Sequence, residues 1–338
     1  MSSNAIFTME GAPSEKVVLV NAQRLDFDQR LDFTSLATTG SVVRHYEDHP
    51  SDEAMLALLE GAAVIVNKEI PLSAALVAAL PESVKLICEA GTGFNNVALD
   101  AARARGIVVT NVPAYSQDAV AQLVITFVLN CSCSMAAQQR MLLAGDRSHF
   151  SGALLLPHFE LAGKTIGLVG GRGSIGTKVA RLCLALGMRV LISSRDTAAP
   201  PAVEGTSIAA SLDELLGASD FVSLHCPLSD GTRRLIGAAA LAMMKPTAHL
   251  INTARGAIID EAALCEALAA DSPPIAGACL DVQEVEPLPD DSPLFALPNV
   301  VLTPHIGWKR LETRQRLMAQ VVSNIKAFQA GAPINVVS

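Results

Sequence analysis

Three polar residues stand where an α/β chain most easily builds chemistry. Arg255 follows the run H-L-I-N-T-A, Glu286 follows G-A-C-L-D-V, and His305 follows V-V-L-T-P. Each apolar run reads as a buried strand, so each polar residue falls just past a strand's carboxyl end. In a parallel sheet those ends line one crevice. Taken singly, each residue has a plain reading: a solvated loop cation, one acid among several, a strand-end histidine. Together they suit the oxidation of an alcohol beside a carboxylate, or the reverse. A planar guanidinium holds a carboxylate and a carbonyl through parallel hydrogen bonds. An imidazole gives a proton to a carbonyl as hydride arrives and takes it back in the other direction. A carboxylate on the other ring nitrogen favours the charged imidazole, and Glu286 is the candidate for that place.

A source of hydride is written upstream. The segment 165–176, T-I-G-L-V-G-G-R-G-S-I-G, reads as a buried strand, a turn of the G-x-G-x-x-G type and the start of a helix. Gly171, Gly173 and Gly176, with Arg172, Ser174 and Ile175 between them, would let the backbone approach a pyrophosphate seated on amides at the helix N-terminus. Glycine turns without ligands are common, and the strand before and helix after are the context that the motif needs. A second glycine loop, E-A-G-T-G-F-N-N at 89–96, also leaves a strand end. It is either a turn or an anion-binding loop, because free amides there can hold a carboxylate but need not. Gly163-Lys164-Thr165 resembles the end of a P-loop, but position 158 is His where the first glycine belongs, so that reading fails.

The elements that must position these residues alternate strand and helix. Residues 1–15 are polar and aperiodic, a disordered tail. From Lys16, strands at 17–20, 63–66, 84–88 and 107–110 alternate with helices opened by Ser51 and near Leu72, giving a small parallel domain. Residues 111–116 form a candidate linker. A helical run at 118–143, apolar on nearly all faces, must be buried within the domain or in a dimer interface. Six strands follow, beginning near residues 165, 189, 220, 249, 276 and 300, with a capping-box helix at Ser211. The expected fold is α/β with two doubly wound parallel-sheet domains, a Rossmann dinucleotide-binding domain (113–307) inserted in a flavodoxin-like substrate domain (16–112 plus 308–338). The last helix, 311–330, is expected to return to the first domain.

Composition agrees with that fold class and excludes others. Half of the 338 residues are hydrophobic but only 4% aromatic, as parallel strands covered on both faces require. The net charge of -8 argues against a nucleic-acid partner. No apolar run has the length of a spanning helix and no signal peptide opens the chain, so no membrane is expected and the location is cytoplasmic. The seven cysteines sit mostly in apolar segments, as reduced core thiols. Cys131 and Cys133 lack a second pair with zinc spacing, and no metal is expected.

At these residues the chain resembles the D-isomer-specific 2-hydroxyacid dehydrogenase family over nearly its whole length after the tail. The matching segments are the glycine motif, S-L-H-C-P-L at 223–228, M-K-P-T-A-H-L-I-N-T-A-R-G-A-I-I-D at 244–260, G-A-C-L-D-V-Q-E-V-E-P-L at 277–288 and L-T-P-H-I-G-W at 302–308. The resemblance implies Arg255 as carboxylate anchor, His305 as acid/base and Glu286 as its partner. It places Gly91, Thr92, Gly93 and Lys68 at the substrate, and Asp281 at the nicotinamide carboxamide. It adds Cys226, Pro227, Thr253, Ala254, His305 and Gly307 to the cofactor contacts of the glycine turn. Within the family the chain is most similar to the glycerate dehydrogenase, or hydroxypyruvate reductase, branch. The grounds are Asn67-Lys68 with Pro71-Leu72-Ser73, the T-G-F-N-N-V loop, Tyr115-Ser116 with V-A-Q at 120–122, and P-H-I-G-W. Phosphoglycerate dehydrogenases often append a regulatory domain, for which no residues remain here. Related formate dehydrogenases carry an amide where Glu286 stands.

Two departures from the family's pattern bear on the cofactor. The family's motif starts at the glycine aligned with Gly170, and here one extra glycine displaces it, leaving the turn geometry open. At the end of the second strand, where NAD-specific members carry an aspartate, this chain has Ser193-Ser194-Arg195. Ser194 and Arg195 suit a 2′-phosphate, so NADP(H) is favoured over NAD(H). In the plain alternative Arg195 is solvated and Asp196 takes the NAD role. The expectation is a homodimeric enzyme acting on a small 2-oxo or 2-hydroxy acid. The alternative is a dinucleotide-sensing interaction module like the family's corepressors, for which the short tail offers little peptide-binding extension.

Overall fold

The computed structural model describes residues 7–9, 15–46, 50–150, 152, 154–194 and 200–338. The chain divides into two compact units, Met1–Ser116 with Lys309–Ser338, and Gln117–Trp308.

The first unit is a sheet of six strands, β1 (Phe7–Met9), β2 (Lys16–Leu19), β3 (Ser41–Arg44), β4 (Ala62–Asn67), β5 (Leu86–Glu89) and β6 (Val108–Thr110), in the order β1-β3-β2-β4-β5-β6. Strands β2 to β6 run parallel in the flavodoxin-like order, while β1 is antiparallel to β3. Residues 1–15 read as a disordered tail, and β1 corrects that reading for 7–9. The open edge of β3 otherwise leaves unpaired N–H and C=O groups, which a short strand satisfies. Residues 1–6 and 10–14 lie outside the described residues. Helices α1 (Ala22–Leu25), α2 (Asp52–Leu58), α3 (Ala74–Ala79) and α4 (Leu99–Ala104) connect these strands. Ser51 and Ser73 cap α2 and α3 by accepting from the amides of Ala54 and Leu76.

The second unit opens with α5 (Gln117–Cys133) and α6 (Met135–Leu143). The sequence reads as one helix here, but the two are bent by 64°. Ser134 at the break takes φ 51, and the Asn130 side chain accepts from the Ala136 amide at 2.8 Å, restarting the helix in a new direction. The expectation of burial holds for α5 alone, since α6 buries none of its side chains. Among the described residues no single helix is long and apolar enough to cross a membrane.

A seven-stranded parallel sheet follows, where the sequence suggests six strands. It consists of β7 (Thr165–Val169), β8 (Arg189–Ser193), β9 (Thr206–Ile208), β10 (Phe221–Leu224), β11 (His249–Asn252), β12 (Gly277–Leu280) and β13 (Val300–Leu302), in the order β13-β12-β11-β10-β7-β8-β9. The unforeseen strand β9 has three residues, too few for any periodicity to register. Helices α7 (Ser174–Ala185), α8 (Leu212–Ala218), α9 (Ala238–Met243) and α10 (Glu261–Ala269) cover the faces, and α11 (Leu311–Gln329) belongs to the first unit.

Alternation along the strands fills two cores. Ile166, Leu168, Phe221, Ile251 and Cys279 pack with α5 and α7. Val222, Leu224, Leu250, Ala278 and Leu280 pack with α8, α9 and α10. Each strand is therefore apolar on both faces, which leaves only its ends for polar work. Ser211 caps α8 by accepting from the Glu214 amide at 3.1 Å, and the Glu214 carboxylate accepts from the Ala210 amide at 2.6 Å. Ser211→Ala should lower stability by about 1 kcal/mol, read from the midpoint of chemical denaturation. An unchanged midpoint would mean that the cap contributes nothing.

Candidate active site

Strand register sets up the site in the second unit. Ser193 pairs with Val169, Val169 with Leu224, Leu224 with Asn252, Asn252 with Leu280, and Leu280 with Leu302. These six residues form one row across the sheet, and every loop that follows them leaves from the same edge. The glycine turn, Cys226, Arg255, Glu286 and His305 all lie in those loops.

The turn between β7 and α7 resolves the extra glycine. Gly170 takes φ 81, and a β-carbon there would lie 2.6 Å from the Cys226 nitrogen, so it seats the strand end against the loop after β10. Gly171 and Gly176 pack on each other, since a β-carbon on Gly176 would lie 2.6 Å from the Gly171 α-carbon. These are the tight-turn and helix-packing positions of the motif, with Gly173 between them. Gly173 is the N-cap of α7 and no side chain caps it, so the first amides of that helix are offered to a ligand. Close by in the row of loops, the Thr253 hydroxyl is buried and has no hydrogen-bond partner among the described residues. This arrangement fits a dinucleotide pyrophosphate. The Arg172 guanidinium donates to the Pro200 carbonyl at 3.0 Å. Ser194 directly follows β8, whereas Arg195 and Asp196 lie outside the described residues.

Arg255, Glu286 and His305 are tied together by their loops. The Glu286 carboxylate accepts from the Gln283 amide at 3.2 Å through one oxygen and stands 2.7 Å from His305 Nδ1 through the other. His305 and Glu286 side chains keep 20% and 26% of their surface exposed, so Nε2 remains the free face of the ring for a reactant. His305 takes φ 51, a conformation that a histidine holds only when its surroundings require it. Asp281 supplies that requirement. Its carboxylate accepts from Thr303 Oγ1 at 2.6 Å, the Ile306 amide at 2.7 Å and the Gly307 amide at 2.9 Å, and its carbonyl accepts from the His305 amide at 2.8 Å. Burial raises the Asp281 pKa, against the lowering effect of those donors and of His305.

Half-buried Arg255 sits on a loop fixed by Asn252, whose side chain donates to the Arg255 carbonyl at 2.9 Å and accepts from the Ala254 amide at 3.0 Å. The guanidinium donates to the Ala254 carbonyl at 2.7 Å, one of five donors. Gly256 touches the Gln283 backbone so closely that a β-carbon would overlap it at 1.9 Å, which locks the Arg255 loop onto the Glu286 loop. Sequence reasoning missed Asn252, Gly256 and Thr303. A polar residue closing an apolar strand was the available signal for Asn252.

In the first unit, Gly91, Thr92 and Gly93 leave β5. The Thr92 hydroxyl donates to the Val112 carbonyl at 2.9 Å, and its own carbonyl accepts from Asn111 at 2.8 Å. Lys68 is 1% exposed and pairs with Glu69 at 2.7 Å. Burial disfavours its charge, but Glu69, Tyr115 and Glu89 outweigh burial and leave its pKa raised. Sequence reasoning assigned no role to Glu89, whose charge acts on Lys68, or to Asn67 and Asn96, which donate to Glu89.

Asp281→Ala would strand three donors at once. It should cost about 2–4 kcal/mol of stability and raise hydrogen exchange at the Ile306 and Gly307 amides. Unchanged exchange there would remove Asp281 as the support of the His305 turn.

Comparison with known proteins places this arrangement in a family. Residues 125–307 match the family described as D-isomer specific 2-hydroxyacid dehydrogenase, NAD binding domain. A glycerate dehydrogenase of Methylorubrum extorquens is 36% identical over 87% of this chain and 91% of its own length. A hydroxypyruvate reductase of Blautia hydrogenotrophica is 32% identical over 91% of this chain and 95% of its own. The crystal structure of an NADPH-dependent glyoxylate/hydroxypyruvate reductase of Sinorhizobium meliloti, in complex with NADP and malonate, superposes with a TM-score of 0.80. It is 29% identical and covers 96% of this chain and 97% of its own. Sheet order, glycine turn, strand-end residues and these relatives agree: the chain belongs to the D-isomer-specific 2-hydroxyacid dehydrogenase family, with its nicotinamide-dinucleotide-binding fold in the second unit.

Proposed function

We propose that this protein is an NAD(P)-dependent dehydrogenase that reduces a small 2-oxo acid of the hydroxypyruvate or glyoxylate type. The observation that carries the reading is the 2.7 Å contact between His305 Nδ1 and Glu286, on the edge that also bears Arg255 and the glycine turn. Glycerate dehydrogenase, hydroxypyruvate reductase and glyoxylate/hydroxypyruvate reductase relatives support that substrate class.

Amides of Ser174, Ile175 and Gly176 would hold the pyrophosphate, flanked by Gly171, Arg172 and Gly173, whose own amide donates to the Gly170 carbonyl at 3.1 Å. Cys226, Pro227, Thr253, Ala254 and Gly307 would line the dinucleotide, and Asp281 retains one of its four acceptor positions for a carboxamide. When bound, the nicotinamide supplies the hydride. In the second unit Arg255 binds the substrate carboxylate and carbonyl; in the first, the amides of the Gly91-Thr92-Gly93 loop beside Lys68 are offered to a carboxylate. His305 Nε2 delivers the proton to the nascent alkoxide in reduction and removes it in oxidation. Glu286 holds the ring in that orientation through Nδ1.

Ser194 and Arg195 favour NADP(H), because a hydroxyl and a guanidinium recognise a 2′-phosphate where a carboxylate would repel it. The protein is a homodimer in this reading. Leu129, Met135, Leu143, Phe150, Leu154 and Leu155 are exposed along α5, α6 and the segment after them, at up to 88% for Leu143.

His305→Ala should lower kcat on hydroxypyruvate by roughly 100- to 10,000-fold and leave cofactor affinity nearly unchanged. Arg255→Ala should raise KM and lower kcat together, and slight, equal effects from both would overturn the site. A panel of 2-oxo acids assayed with both reduced cofactors tests substrate class and cofactor, and a strong NADH preference rejects NADP(H). Sedimentation velocity of the double variant Leu143→Glu, Leu155→Glu should report a monomer; an unchanged dimer would place the interface elsewhere.

A further inference from the structure

The first unit holds a charged network whose buried acid, Glu89, the reaction scheme does not use. Glu89, at the end of β5, is 1% exposed. Its Oε2 accepts from the side-chain amides of Asn67 at 2.6 Å and Asn96 at 3.0 Å, and its Oε1 accepts from the Glu69 backbone amide at 3.2 Å. Both asparagines also donate to the Ile70 carbonyl, at 2.9 and 3.0 Å, so their amide groups are pinned. Lys68 is bonded to Glu69, which in turn pairs with Arg24 at 2.6 Å. The network lies directly behind the glycine loop: a β-carbon on Gly91 would stand 3.6 Å from Glu89 Oε1 and 3.7 Å from Lys68 Nζ.

We propose that Glu89 is the positioning residue of the Gly91–Gly93 loop and links its carboxylate binding to a proton, so that the loop takes up a 2-oxo acid most tightly when Glu89 is neutral. The inference rests on the reading of that loop as a substrate-carboxylate site. Arg24, Glu69 and Lys68 sum to one positive charge. A neutral Glu89 leaves that charge behind the loop amides, and an ionised Glu89 cancels it and sets a second anion against the bound carboxylate.

The proton is available near neutrality. Burial pushes the Glu89 carboxyl up to about 7, against the lowering influence of Lys68 and of the donors from Asn96, Glu69 and Asn67. The other titratable neighbours are Lys68 and Glu69 after β4, Cys88 on the same strand, Tyr115 beside Lys68, and Arg24 facing Glu69. Lys68 is raised above its ordinary range and the Cys88 thiol is pushed up to about 11, so neither changes charge between pH 6 and 8. A bound anion raises the Glu89 pKa further and binding takes up a proton. Affinity is therefore highest below pH 7, falls as pH rises through that value, and levels off where Glu89 is ionised with and without the ligand.

The test is the dissociation constant of oxamate, a carboxylate analogue of the substrate, with excess reduced cofactor from pH 5.5 to 8.5. It is measured by calorimetry in a His305→Gln background, so that the imidazole adds no step of its own. Affinity should fall roughly five- to tenfold across that range, and Glu89→Gln should flatten the profile at the tight, low-pH level. A profile that keeps its step in Glu89→Gln, even with a lowered melting temperature, overturns the linkage and leaves Glu89 a structural residue. Proton uptake at pH 7.5, from calorimetry in buffers of different ionisation enthalpy, needs no change at residue 89, and zero uptake also overturns the linkage. Amide NMR separates the two readings. Oxamate that binds without shifting the Gly91, Thr92 and Gly93 amides refutes the loop as carboxylate site, whereas shifted amides with an unaltered step refute the linkage alone.

Discussion

The second unit depends on the common register of its parallel strands. Because Ser193, Val169, Leu224, Asn252, Leu280 and Leu302 end in one row, six loops leave from one edge. Helices cover both faces of the sheet, and the strands are apolar on both sides. Polar side chains are thereby excluded from the faces and gathered at the edges. A one-residue slip between β12 and β13 would reverse which face each side chain occupies and carry His305 away from Glu286. The hydrogen-bonded pair that the chemistry needs is thus held by packing far below it, and the 2.7 Å distance is its local expression.

Much of this was legible in the sequence because the signals are local. Apolar runs of four or five residues marked β7, β8, β10, β11 and β12, and Ser51 and Ser211 marked helix starts that the structure caps with those side chains. The family motifs carried the fold class and the enzyme class. Other features had no local signal. Strand β9 is too short to show a period, and β1 forms because β3 offers an edge, which is a fact about β3. The break at Ser134 depends on one residue in a left-handed conformation and on Asn130, neither of which alters the apolar pattern of the run.

The extra glycine illustrates a different limit. Spacing could not tell which of Gly170 and Gly171 opens the motif, because either could occupy a tight turn. The contacts separate their roles. Gly170 is pressed against the backbone of His225 and Cys226, and Gly171 against Gly176, so the former joins two strand ends and the latter packs on the first turn of the helix. Glycine is needed at both positions for want of space, and the insertion leaves α7 still presenting uncapped amides at its N-terminus. The added residue is absorbed on the sheet side of the turn, where it costs no donor.

Charge is handled oppositely in the two units. His305 and Glu286 form a pair with a fifth to a quarter of each side chain exposed, so both partners keep part of their hydration while the ring's second nitrogen stays accessible. Glu89 has no such access; amide donors and the nearby charge of Lys68, itself bonded to Glu69, are what offset its lost hydration. An ionised carboxylate in that setting is costly unless donors and a nearby cation offset its lost hydration. Sequence could place Glu89 at a strand end, but Asn67 lies 22 residues away and comes near it only because β4 and β5 pair in register. Whether an acid near a strand end is a partly exposed partner for a histidine or a fully buried anchor is decided by the neighbouring strand, and so by the sheet order rather than by the motif.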